Sequence, residues 1–228
     1  MVLFHFCYDL LYLANLPLGF FHPPFQDIWR ASISWTFLFV AGCMCALSRN
    51  GLKRALRYLS AAAAIYVVSY VAAVDVPISF GIIFCMGAST LLECLLSRMG
   101  LRPKGWAIAC LFFVLFLALL HLSQGRIGFG PITIDLPRQL YAYRALAFLG
   151  LPGPGFASSD YYPILPYSLM YLTGASIGHL WHETDYPSWA LMGRDTHLAW
   201  IGRHALEIYL LHQPVLLLVT MLIVQLSR

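Results

Sequence analysis

His5 and Asp9 stand four residues apart in an otherwise apolar opening run, residues 1–13. On a helix that spacing stacks the imidazole and the carboxylate on one face, one turn apart. A carboxylate beside a histidine fixes the ring tautomer and stabilises the imidazolium that forms when a proton is taken up, so the pair reads as a general base with its orienting partner. In a bilayer an ionisable pair is costly and faces a bundle interior or a wet cavity, either joining helices or forming a functional site. His22, in the next loop before two prolines, and Asp160, just ahead of Tyr161, Tyr162 and Pro163, complete the catalytic candidates.

The last apolar segment carries a second group. Tyr209 and His212 are three apart and share a helix face, while Arg203 and Glu207, four apart, have ion-pair spacing. An interhelical hydrogen-bonding role accounts for His212 equally well. Metal binding is not expected. His179, His182 and Glu183 are close in sequence, but no matching ligand set stands elsewhere, and Glu93 reads as snorkelling or paired. A Gly-rich phosphate loop, a G-x-S-x-G elbow and an H-E-x-x-H pair are all missing.

The setting for these residues is a membrane. Of 228 residues, 60% are hydrophobic and only 11% charged, against about 25% charged in a soluble domain. Mean hydropathy is +0.73. The net charge of +4 is spread over many loops without a basic patch interleaved with aromatics, so nucleic acid is excluded as a partner. Six cysteines fall in apolar segments without a CxxC and read as small buried hydrophobes.

A membrane span takes about 20 mostly apolar residues. The pattern places spans near residues 29–47, 56–74, 76–96, 106–122, 164–181 and 200–224, after a first segment, 1–15, that is too short to cross. That segment is either re-entrant or, the preferred expectation, the second half of a longer helix. Asp75 and Pro77 mark a tight turn between the third and fourth spans. Residues 123–162 form a long aromatic connection, with turns over 125–137 and a short surface helix over 138–149. Pro214 is expected to kink the last helix. The predicted fold class is an all-α polytopic bundle of about seven transmembrane helices, one domain over 1–228 with 123–162 as an extracytoplasmic loop region.

Orientation follows from the positive residues. Arg49, Lys53, Arg54, Arg57, Arg98, Arg102, Lys104, Arg194 and Arg203 lie on one side of this topology. Arg30, Arg126, Arg138, Arg144 and Arg228 lie on the other. The positive-inside rule puts the first set in the cytoplasm and His22, Asp160 and the C-terminus outside. The polar loop before the last span also holds Asp195.

Five stretches occur in a characteristic order: residues 1–10 with His5 and Asp9, the Phe-Leu-Phe-Val-Ala-Gly run at 37–42, residues 80–87, residues 160–167, and residues 202–214. In these the chain resembles a bacterial member of the heparan-α-glucosaminide N-acetyltransferase catalytic-domain family, within the transmembrane acyltransferases. The resemblance covers nearly the whole chain. It implies acetyl transfer from cytosolic acetyl-CoA, the co-substrate, to an amino sugar or other glycan outside, in a bacterial inner membrane. In the lysosomal relative a polar residue of the first helix and a histidine of the following loop form the active site; His5 matches the first position and His22 falls near the second. Arg54, Arg57, Arg203, Tyr209 and His212 are the candidates for binding the CoA co-substrate. Two departures stand out: the family's Asp-x-x-Arg-Gly ahead of the first helix is missing, and Phe84 replaces a histidine found in many relatives. The partners implied are membrane lipid and the glycan acceptor, with self-association left open. The alternatives are a transporter or flippase for a lipid-linked sugar, using the same polar residues as a path, and a catalytically inactive paralogue.

Overall fold

The computed structural model describes residues 1–72, 76–191 and 196–226. Asp75, Arg194, Asp195 and Arg228 lie outside them. The chain is predominantly helical and divides into two compact units, residues 1–34 with 187–228, and residues 35–186.

In the first unit, α1 (Val2–Tyr12) packs against α9 (Ala205–Leu226). α1 stops where Asn15 takes a left-handed φ of 55° and Pro17 removes the next amide donor. Phe4, Cys7 and Phe21 form the buried core, with Leu11, Leu18, Trp29 and Ile33 packed around it. Phe4 meets the rings of Phe21 and Trp29 edge to face at 5.2 and 5.5 Å, the geometry aromatic quadrupoles favour. α2 (Phe25–Cys43) starts directly after Pro23-Pro24, with Asp27 in its first turn where the helix dipole favours an anion. The short α7 (Ser188–Leu191) and α8 (Thr196–Arg203) lead into α9. The last segment is therefore two helices, broken at His204, and not the single one over 200–224 that the pattern suggested. Arg203 ends α8 and Glu207 lies in the first turn of α9. α9 runs through Pro214 as one helix.

The second unit is built on α6 (Ile164–Thr184), buried almost throughout from Ser168 to His179. α4 (Ile82–Arg98), α5 (Trp106–Ala118) and the 3₁₀ turn Met44–Leu47 pack on it, and α3 (Gly51–Val71) packs on α4. α3 starts five residues earlier than its apolar run because Asn50 caps it, its side chain accepting from the Lys53 amide at 2.9 Å. Three glycines let α6 lie against the end of α2. A Cβ at Gly42 would overlap the Tyr171 carbonyl, one at Gly174 the Phe39 carbonyl, and one at Gly178 the Cys43 carbonyl. The small residues of the expected Gly174-xxx-Gly178 motif therefore bring backbones into contact.

Two parts of the sequence reading need correction. Residues 125–137 are a β-hairpin, not only turns: β1 (Arg126–Phe129) pairs antiparallel with β2 (Ile132–Asp135), Arg126 opposite Asp135. The fold is thus not purely α. Gly128 and Gly130 interrupt the alternation that would have marked strands. Residues 138–149, expected as one helix, are two separate 3₁₀ stretches, Arg138–Tyr141 and Arg144–Leu149. The six cysteines, expected to be buried, also differ among themselves: Cys7, Cys45 and Cys85 are buried, Cys43 and Cys94 half-buried and Cys110 exposed, and all six are free thiols.

Among the described residues, three helical stretches are long and apolar enough to cross a membrane, Phe25–Leu47, Trp106–Gln124 and Ala205–Leu226. α1 has 11 residues and α4 has 17, short of the roughly 20 a crossing takes. α3 has the length, but Lys53, Arg54 and Arg57 occupy its first two turns. α6 has the length too, with polar Ser168, Thr173, Ser176 and His179 turned into protein. Seven crossings were expected; three of those segments meet the requirement by length and composition.

Candidate functional site

Polar side chains are buried in both units. In the first, Asp9 on α1 is 2% exposed. The Gln213 amide of α9 donates to both of its carboxylate oxygens at 3.3 Å. An ionised carboxylate repels an amide oxygen, so the Gln213 Nε2 faces Asp9 and its Oε1 faces away; that oxygen is buried without a hydrogen-bond partner. One amide shared between two oxygens leaves most of the carboxylate's accepting capacity unspent.

His212, one residue before, is buried. Its Nδ1 lies 2.5 Å from the Tyr209 carbonyl oxygen. A carbonyl only accepts, so Nδ1 carries the proton and donates it. The Nε2 of the neutral ring is then a lone pair, and it too is buried without a partner. The His5 ring stands 5.0 Å from the His212 ring and the Tyr209 ring 5.4 Å, centre to centre. Three acceptors on α1 and α9, the Asp9 carboxylate, Gln213 Oε1 and His212 Nε2, are thus short of donors. Such a group suits a ligand rich in N–H, above all a protonated amine.

His5 and Asp9 share α1, but the expected carboxylate–imidazole contact gives way to Asp9–Gln213 and His5–His212. The reason is α9: it presents an amide and a ring where the helix alone would have offered only one polar neighbour. His22 is exposed at the start of α2, and its carbonyl accepts from the Gln26 amide at 3.0 Å. Arg203 is exposed at the end of α8.

In the second unit, Asp160 serves the backbone. α4 begins at Gly81, which has no side chain to cap it, and the Ile82 amide donates to Asp160 Oδ2 at 3.1 Å instead. Ser158 braces this loop: its hydroxyl accepts from the Ser79 amide at 2.9 Å and lies 2.7 Å from the Ser79 and Asp160 carbonyls. The Asp160 carboxylate therefore acts as a helix cap supplied from 78 residues away in sequence. Arg54 is half-buried and donates to the Ala41 carbonyl at 2.8 Å and to the Tyr58 hydroxyl at 3.4 Å, holding the end of α2 to the start of α3. Arg57, one turn on, is exposed.

A second buried group was not foreseen. His179 Nε2 of α6 lies 2.8 Å from Glu93 Oε1 of α4 and 3.6 Å from Cys45 Sγ, and the Ser97 hydroxyl donates to the same Glu93 oxygen at 2.7 Å. Glu93 is 6% exposed, so of the two readings given it, pairing is right and snorkelling is not. At the end of α6, Lys104 pairs with Glu183, and that hydrogen bond holds the Glu183 carboxyl below the usual range.

Apolar helices that enclose ionisable side chains define an integral membrane protein. The family model for the catalytic region of heparan-alpha-glucosaminide N-acetyltransferase matches residues 1–214, and the chain belongs to that family. The family points to a transmembrane acetyltransferase. No curated protein and no solved structure gives a significant match.

Proposed function

We propose that the protein transfers an acetyl group from cytosolic acetyl-CoA to an amino sugar on an extracytoplasmic glycan, with the whole chain as one functional membrane domain of a bacterial inner membrane. The observation that carries the reading is the group of unspent acceptors at Asp9, Gln213 and His212. At neutral pH an amine acceptor arrives as an ammonium. The Asp9 carboxylate and Gln213 Oε1 hold its N–H groups, and His212 Nε2 takes a proton from it. The freed nitrogen attacks the thioester carbonyl carbon, the C–N bond forms, the C–S bond breaks, and the sulfur leaves as the CoA thiolate. The imidazolium protonates the thiolate, and the regenerated Nε2 takes the nitrogen's second proton as the amide forms and passes it to water.

This assigns the base to His212 in preference to His5 or His22. Its Nδ1–H is spent on a backbone carbonyl, which fixes the tautomer with the lone pair on Nε2. His5 packs against the ring and shapes the site. Arg57 and Arg203 are exposed and remain candidates for the CoA phosphates, while Arg54 also braces Ala41 and Tyr58. A transporter would use the same acceptors to pass a cationic sugar, but would need no CoA. The test is acetyl transfer from labelled acetyl-CoA to glucosamine by the purified protein in detergent, run beside CoA binding. Transfer together with CoA binding supports the reading; sugar binding with neither contradicts it.

A further inference from the structure

We propose that Cys45, Glu93 and His179 bind a zinc-class divalent cation through the cysteine sulfur, a carboxylate oxygen and His179 Nε2, with the fourth position open to water. The proposal concerns the second unit alone and does not depend on the acetyltransferase reading.

Three elements supply one ligand each: the 3₁₀ turn after α2, the last third of α4, and the end of α6. All three residues are buried, and their donor atoms lie within 4.8 Å of one another. The donor set, one thiolate, one imidazole and one carboxylate, is a zinc set, and three protein ligands with a fourth place open is the pattern of non-structural zinc sites. Zinc bonds of about 2.0–2.3 Å at tetrahedral angles put donor atoms about 3.3–3.6 Å apart. The Sγ–Nε2 edge of 3.6 Å already has that length. The Nε2–Oε1 edge of 2.8 Å has to open by about half an ångström.

Charge favours the ion. A thiolate and a carboxylate balance a dication, so the occupied site is neutral, which matters where burial penalises any net charge. Convergence on a single nitrogen also points to a metal. In a cysteine–histidine–carboxylate catalytic relay the thiol and the carboxylate meet opposite ring nitrogens. Here both approach Nε2, where one cation can satisfy all three. Two features hold the ligands in place. Ser97 donates to Glu93 and orients its carboxylate, the role outer-shell partners play at metal sites. The glycine contacts seat the end of α2 on α6, with the Cys43 carbonyl over Gly178, and so fix Cys45 beside His179.

The experiment is metal analysis of the full chain, purified in detergent with its affinity tag removed, followed by chelator treatment and titration with Co²⁺. The wild type should carry about one zinc per chain. With cobalt it should show visible ligand-field bands and a near-ultraviolet thiolate-to-cobalt band. Cys45→Ser should lose the thiolate band, His179→Gln should lose the visible bands, and Cys43→Ser should keep both. Ser97→Ala should weaken cobalt binding by about 10–100-fold. Elution profile and helical circular dichroism establish that each variant is folded, and the wild-type titration stands without them. Wild-type protein with neither zinc nor a cobalt thiolate band overturns the proposal and leaves Glu93–His179 as a bare hydrogen-bonded pair. A thiolate band that survives Cys45→Ser overturns it equally.

Discussion

Asp9 and Gln213 meet across 204 residues of sequence, one amide group donating to both oxygens of a carboxylate that is almost fully buried. The contact ties α1 to α9 and turns Gln213 Oε1 away from the carboxylate. A hydrogen bond to a charged group contributes about 1.5–3 kcal/mol, so Gln213→Ala should destabilise the protein by that order. Measured in a double-mutant cycle with Asp9→Asn, the two changes should couple by more than about 0.5 kcal/mol. Additive effects in detergent unfolding would mean that the contact contributes nothing of its own.

Asp160 separates charge from capping. Asp160→Asn keeps an oxygen for the Ile82 amide, so acetyl transfer should stay near wild type and the melting temperature should stay above that of Asp160→Ala. Asp160→Ala removes the cap and should cost about 0.5–2 kcal/mol, visible as a lower melting temperature. A large loss of kcat in the asparagine variant with unchanged stability would instead place Asp160 among the catalytic residues.

The glycine contacts predict a steep size dependence. Gly174→Ala puts a methyl group into the Phe39 carbonyl, and overpacking of this kind costs about 1–3 kcal/mol. Gly202→Ala, with nothing within 4 Å of the new Cβ, should be neutral or slightly stabilising in α8. Thermal unfolding of the two variants side by side checks the contrast; equal stability would contradict the close approach of α6 and α2.

The proposed orientation makes its own prediction. In a background lacking the six native cysteines, Met99→Cys should resist an impermeant thiol reagent in intact cells, and Tyr143→Cys should react. Both positions are well exposed, 71% and 68%, so protection reports the membrane and not burial. The opposite pattern would invert the topology and place residues 123–162 in the cytoplasm.

Much of the helical frame was legible because apolar runs and basic loops follow directly from the bilayer. What stayed hidden depended on contacts distant in sequence. α4 starts at Ile82 and not at 76 because its cap comes from Asp160, and no local signal marks that. Gln213 has no titratable group and drew no attention until Asp9 was seen to need a donor. Cys45, Glu93 and His179 each have an ordinary explanation alone, as a small hydrophobe, a paired acid and a helical histidine. Only the packing of α4, α6 and the turn after α2 brings them together. The hairpin was missed because two of its ten strand-and-turn positions, 128 and 130, are glycines, and Ile132 and Ile134 are mostly exposed.

The central claim is that His212 Nε2 is the base for acetyl transfer, and the most direct measurement is kcat with labelled acetyl-CoA and glucosamine for single alanine variants of His5, His22 and His212, with CoA affinity measured alongside. Positioned general-base catalysis contributes about 10²–10⁴ in rate. His212→Ala should lower kcat by that order with CoA affinity nearly unchanged. His5→Ala should give a smaller loss through the altered packing of the ring, and His22→Ala should leave kcat near wild type. Near wild-type kcat in His212→Ala, with the loss falling on His5→Ala or His22→Ala, would contradict the account and return the chemistry to α1 or the loop after it.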